Sequence, residues 1–127
     1  MKNISVLIAD DTIFMRATLQ KMLSNYGVSS FIEAANGKEA VRKYKTERPD
    51  LVIMDISMPI MDGIEATRQI KSIDPGAKIL ICSQQGQKNN VMEGIKAGAS
   101  SFLVKPVKEE KLINEINVIF EKTPAKP

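Results

Sequence analysis

Short apolar runs rich in β-branched residues recur along this chain, and each is followed by a stretch of helical periodicity. That alternation constrains the fold more than any other feature. A helix between successive strands carries the chain back across a sheet, so the strands become parallel, joined by right-handed crossovers and covered on both faces. The expected strands are residues 4–9, 28–34, 51–54, 78–82 and 101–104. The second is the least hydrophobic and belongs at an edge. A length of 127 residues allows one domain, here 1–122 with a short polar tail at 123–127. Such a chain buries roughly two-thirds of its unfolded surface and needs no disulfide or metal staple.

The intervening segments read as helices. Met15, Leu19, Met22 and Tyr26 recur at steps of four, three and four, with Arg16, Gln20 and Asn25 off that stripe, and Gly27 stops the run. Asn36-Gly37 is a dipeptide favoured in hairpins. However, Glu39 follows Asn36 at a capping-box spacing, with Ala40, Val41 and Tyr44 at helical intervals, so a helix ended by Pro49 is the better reading. Asp62 and Glu65 repeat that spacing before a helix with Ile64, Thr67 and Ile70 inward, broken at Asp74-Pro75-Gly76. The helix over 88–97 has the least support, because Gln84 to Gln87 offers no strong cap and Gly94 interrupts it. A final helix over 108–121 carries Leu112, Ile116 and Ile119 as its stripe.

Composition removes several chemistries. There is no histidine, which takes away imidazole acid–base catalysis and the commonest transition-metal ligand. The single cysteine, Cys82, cannot pair within the chain, as suits a reducing compartment. The first four residues lead straight into an apolar run too short for a signal or membrane segment, so a soluble cytoplasmic protein is expected. Net charge is +3, and Lys38, Arg42, Lys43, Lys45 and Arg48 share one segment. No nucleic-acid-binding motif accompanies them, and a solvated helix face accounts for them.

The strand ends carry the chemistry. Asp10-Asp11 follows the first strand, Asp55 the third, Ser83 the fourth and Lys105 the fifth. Singly these are a capping Asp, a turn Ser and a solvated Lys. In a parallel sheet, however, all carboxyl ends point one way, so these groups converge on one rim. Two carboxylates about 4 Å apart repel by roughly 4 kcal/mol at an effective dielectric near 20. One lysine cannot balance three. Either a carboxylate stays protonated or a divalent cation is bound, and hard oxygen ligands without imidazole or thiolate suit Mg²⁺. Such a site can neutralise phosphoryl oxygens, leaving Asp55 available as a nucleophile.

Asp10-Asp11, Asp55 with Met58-Pro59 and Asp62-Gly63, Ser83, and Lys105-Pro106 together resemble the response-regulator receiver domain, in particular its single-domain chemotaxis type. The resemblance covers essentially the whole chain. It implies a flavodoxin-like (βα)5 fold: a doubly wound, five-stranded parallel sheet in the order 2-1-3-4-5. It implies a phosphoacceptor switch that is not otherwise an enzyme, though it assists its own Mg²⁺-dependent phosphorylation and dephosphorylation. Asp55 would accept phosphoryl from a histidine kinase. Asp10 and Asp11 would hold Mg²⁺ directly or through water, with Asp55 and the backbone carbonyl of Ser57. Lys105 would pair with the phosphoryl group and Ser83 would donate to it, and the Lys105-Pro106 peptide would be cis. Phe102 matches the family's switch aromatic; read plainly, it is a core residue.

The implied partners are the kinase, a downstream protein target and a phosphatase, with neither direct nucleic-acid binding nor membrane insertion. Without a fused output domain, the signal is expected to pass by protein contact. The run from Cys82 to Gln87 resembles regulators that act on the flagellar motor switch protein. A phosphorelay intermediate is the alternative. Two departures stand out. Gln84 occupies a position that is usually small in the family, where it narrows access or adds a hydrogen bond to the phosphoryl. Ser57 and Gln85 fall where the family tunes hydrolysis of the aspartyl phosphate. Other classes fit worse. A flavodoxin-like flavin binder needs a Ser/Thr/Gly-rich phosphate loop where Asp10-Asp11 stands. A haloacid-dehalogenase-type phosphatase needs a second Asp where Ser57 stands, and a scaffold that no longer takes phosphate usually lacks one of the acidic or lysine positions.

Overall fold

A computed structural model describes residues 3–84 and 88–121 of the chain, with the side chains of 88 and 89 left aside. The strands are β1 (Ser5–Ala9), β2 (Ser30–Ala34), β3 (Leu51–Asp55), β4 (Ile79–Ser83) and β5 (Ser101–Val104). They alternate with α1 (Ile13–Tyr26), α2 (Gly37–Glu47), α3 (Gly63–Ile73), α4 (Lys88–Ala97) and α5 (Glu109–Glu121). All four strand pairings are parallel, and the order is β2-β1-β3-β4-β5. This is the flavodoxin-like, doubly wound sheet, with the polar second strand at an edge. The expected tail at 123–127 lies outside the described residues.

Every residue of β3 is buried, because it sits centrally and both faces of the sheet are covered. Alternate residues feed two cores. Val6, Ile8, Ile53, Leu80 and Leu103 pack with Leu19 and Leu23 of α1 and with Leu112, Ile116 and Ile119 of α5. Leu7, Val52, Met54, Ile79 and Ile81 pack on the other face with Ala40, Val41 and Tyr44 of α2 and Ala66 and Ile70 of α3. The expected stripes of α2 and α5 are therefore the observed ones. In α1 the stripe is shifted: Leu19 and Leu23 are fully enclosed, while Met15, Met22 and Tyr26 flank them. In α3, Ala66 takes the inner position beside Thr67 and Ile70, and Ile64 lies at the margin. A small residue lets that helix approach the sheet closely. The Thr67 hydroxyl is enclosed with it and donates to the Gly63 carbonyl at 2.8 Å.

The helix ends follow their local chemistry. Gly27 closes α1 in the left-handed conformation at φ 107°. Asn36 Oδ1 accepts from the Glu39 amide at 2.8 Å, and Glu39 Oε1 accepts from the Ala35 amide at 2.7 Å, so this box closes one residue early. Asp62 Oδ1 caps α3 through the Glu65 amide at 2.8 Å. The second helix stops at Glu47, one residue short of the position preceding Pro49, as proline disfavours helix immediately before it. Among the described residues, no helix is long and apolar enough to cross a membrane.

Gly63 seats α3 against the end of β3. Its amide donates to the Ile56 carbonyl at 2.8 Å, and a Cβ at this position would lie 2.0 Å from the Asp55 carbonyl oxygen. Gly63→Ala should therefore lower stability by about 3 kcal/mol, the upper end of ordinary overpacking costs. A reduced urea midpoint at unchanged slope is the expected result.

Candidate functional site

The carboxyl ends of β1, β3 and β5 bring three acids and one ammonium to a single rim. Beyond Ala9, the Asp10 amide donates to the Ala34 carbonyl at 3.0 Å, extending the β1–β2 pairing by one rung. Asp10 Oδ1 accepts from the Thr12 amide at 2.9 Å and from its hydroxyl at 3.1 Å. That hydroxyl also caps α1 by accepting from the Met15 amide at 3.1 Å. Lys105 Nζ lies 2.9 Å from Asp55 Oδ1 and 3.4 Å from Asp10 Oδ2. Carboxylate oxygens of Asp10, Asp11 and Asp55 all fall within 4.8 Å of one another, with Asp10 and Asp55 buried and Asp11 exposed.

The electrostatics follow from that geometry. Burial raises the Asp55 carboxyl above its ordinary range; the hydrogen bond and charge of Lys105 oppose the shift, and Asp10 and Asp11 add to it. Burial works to lower Lys105, but its hydrogen bond to Asp55 and the charges of Asp55 and Asp10 outweigh it, leaving the ammonium favoured. Cys82, paired in register with Asp55, has its thiol pushed up to about 12 by burial and so offers no thiolate. The donors are therefore oxygens alone, in excess of the one cation beside them. That set fits a hard divalent ion such as Mg²⁺.

The remaining expected residues fall around this rim. Ser83 is buried at the end of β4, where its hydroxyl donates to the Gln84 carbonyl at 3.1 Å. Its own carbonyl accepts from the Lys105 amide at 2.7 Å, which joins β4 to the loop carrying the lysine. Gln84 is exposed and lines a groove of about 540 Å³ with Phe14, Met15, Thr18, Lys105 and Pro106. Ser57 is exposed, Gln85 lies outside the described residues, and Lys105-Pro106 is cis. Phe102 is half-buried against the core on the α2–α3 face, next to Ile81 and Gly94, whereas Leu103 points to the opposite core. The basic run is exposed at Lys38, Arg42, Lys45 and Arg48, while Lys43 donates to the Glu33 carbonyl.

Three features of the site escaped the sequence. Arg16 sits off the α1 stripe, yet its side chain is only 12% exposed and its Nη1 donates to the Asp10 carbonyl at 2.7 Å. Thr12 serves both Asp10 and α1, for which the Asp-Asp-Thr order is the available signal. Ile60 has φ 72°, with Met61 donating back to the Pro59 carbonyl at 2.7 Å. A β-branched residue in that conformation is strained, and nothing in its local sequence announces it. The loop is pinned by the Gly37 amide, which donates to the Met61 carbonyl at 2.9 Å.

A model of the response regulator receiver domain matches residues 6–117. The chain is 48% identical over 114 residues to the chemotaxis protein CheY of Thermotoga maritima, covering 90% of this chain and 95% of that one. It is 47% identical over 112 residues to the chemotaxis protein CheY of Bacillus subtilis, covering 88% and 93%. A chain in the crystal structure of the CheX-CheY-BeF3-Mg²⁺ complex from Borrelia burgdorferi matches with a TM-score of 0.88 at 34% identity, over 92% of this chain and 89% of that one.

The raised Asp55 carboxyl has a consequence for stability. Because the folded state holds this proton more tightly than the unfolded chain, stability falls as pH rises through the ordinary carboxylate range, and the full penalty is present above the folded value. Without divalent cations, Asp55→Asn should melt higher than wild type at pH 7. The difference should shrink as pH is lowered and wild-type Asp55 protonates. Thermal scans across that range test the sign.

Proposed function

The chain belongs to the response regulator receiver family, and on that premise we propose that it is a phosphorylation-activated chemotaxis regulator with Asp55 as its phosphoacceptor. One observation carries the reading. The Lys105 ammonium bridges Asp55 and Asp10 at 2.9 and 3.4 Å, inside a cluster of carboxylates that it cannot neutralise alone. Such a cluster favours cation binding and anion transfer over a purely structural role.

An oxygen of Asp55 attacks the phosphorus of a phosphohistidine carried by a partner histidine kinase. The P–N bond breaks, and an acyl phosphate forms on Asp55. Asp10, Asp11, Asp55 and the backbone carbonyl of Ser57 are the groups that would hold Mg²⁺, which when bound supplies positive charge to the phosphoryl oxygens. Lys105, kept charged by its two carboxylates, turns to the new phosphoryl group. The Ser83 hydroxyl exchanges the Gln84 carbonyl for a phosphoryl oxygen. Since the Ser83 carbonyl is bonded to the Lys105 amide, β4 and the end of β5 shift together, and Phe102 follows by moving inward. The face formed by α4, β5 and α5 then favours a different partner. This is a population shift, limited by the differential contacts of the two states.

The downstream partner in this reading is a flagellar motor switch protein, and a phosphatase resets the switch in the cytoplasm. Gln84, Ser57 and Gln85 set how readily Asp55 is charged and how long the acyl phosphate lasts. The named CheY relatives span nearly their whole length on this chain, which favours the chemotaxis role over that of a relay intermediate.

Acetyl phosphate with Mg²⁺ should label the wild type and leave Asp55→Asn unlabelled; label that survives the substitution would put the phosphate elsewhere. Lys105→Ala should still bind Mg²⁺ by calorimetric titration. It should nevertheless lose the phosphorylation-dependent gain in affinity for a peptide of the motor switch protein.

A further inference from the structure

Arg16 has no part in the chemistry above, yet it grips the peptide that joins the two acids. Its Nη1 donates to the Asp10 carbonyl at 2.7 Å, and its Nε donates to Glu33 Oε1, also at 2.7 Å. Glu33 stands on the edge strand β2, where half of its side chain faces solvent. The guanidinium therefore spans from a solvated anchor to an enclosed carbonyl. A rigid fork can satisfy both with different nitrogens, whereas a single ammonium serves them less well together.

The place matters because the regular ladder has ended there. The Asp10 amide is held by the Ala34 carbonyl, and its side chain is held by Thr12. Its carbonyl lies between the end of β1 and the start of α1 at Ile13. Arg16 supplies the donor. Fixing that carbonyl fixes the plane of the Asp10–Asp11 peptide, and with it the position of the Asp11 Cα from which the exposed carboxylate departs.

We propose that Arg16 is a positioning residue: anchored on Glu33, it holds the Asp10–Asp11 peptide where both carboxylates meet Asp55, and so sets the affinity of the cluster for a divalent cation. The inference rests on the reading that this cluster takes Mg²⁺. It deepens that reading by assigning the outer support of the acids to a residue of α1 and a residue of β2, neither of which touches the ion.

Calorimetric titration of the full chain with MgCl₂ tests it. Arg16→Gln should weaken Mg²⁺ binding by about tenfold, as outer supports of metal ligands commonly do. Arg16→Lys should recover part of that loss, because its ammonium still reaches the carbonyl. Glu33→Gln should weaken binding less, with no additional effect in the Arg16→Gln background. Tyr26→Phe removes a 2.6 Å bond to Asn117 at the far end of α1 and serves as the control for general loosening of the helix. It should lower the melting temperature and leave the Mg²⁺ Kd unchanged. The proposal is overturned if Arg16→Gln binds Mg²⁺ as wild type does, or if Tyr26→Phe weakens binding as much. A wild type that binds no Mg²⁺ overturns the reading of the cluster itself, and this inference with it.

Discussion

Two carboxylates of opposite sequence origin, Asp10 and Asp55, are held side by side in a buried rim against their mutual repulsion. Everything else in the structure bears on how that is sustained. The strand order places β1 and β3 next to each other, so the loops leaving them cannot avoid bringing the two acids together. The sheet resists the strain because β3 is enclosed on both faces and its neighbours contribute apolar side chains to both cores. Lys105 relieves part of the repulsion, and burial, with a smaller contribution from the neighbouring acids, leaves Asp55 reluctant to ionise. A site prepared in this way gains on acquiring a cation.

Much of this was legible in the residues. The apolar runs ended where the acids, the hydroxyl and the lysine stand, and a parallel sheet leaves only one rim for them. The stripes of α2 and α5 were readable because their inward residues are large or well spaced, as with Tyr44 and Ile116. In α1, two overlapping apolar series compete, Met15–Leu19–Met22–Tyr26 and Leu19–Leu23, and only packing against β1 and α5 selects between them. In α3, Ala66 carried too little hydrophobic weight to mark the inner face.

The misses at the site share a different cause. Arg16 was placed off the stripe by periodicity, and so it is, but its long side chain folds back along the helix to the Asp10 carbonyl. Periodicity locates a Cα and says little about where a guanidinium finishes. Ile60 is a conflict between local preference and global placement, for its left-handed backbone is imposed by Pro59, Met61 and the Gly37 amide. Local rules fail in this way where the surroundings over-determine a loop, and this loop carries Ser57 between Asp55 and Asp62.

The sheet also divides labour by position. The acids follow β1 and end β3 at the centre of the sheet, whereas Phe102 lies on β5 at the opposite edge with the lysine just beyond it, joined to the rest through β4. Substitutions on the outer side of that edge leave the acids and their supports untouched. On the proposed reading, in which the face formed by α4, β5 and α5 meets the partner, a lineage can readdress the switch by drift on that flank while the acids stay constant. Under that proposal the signal's destination varies separately from the acids that receive it, with Lys105 the one residue common to both.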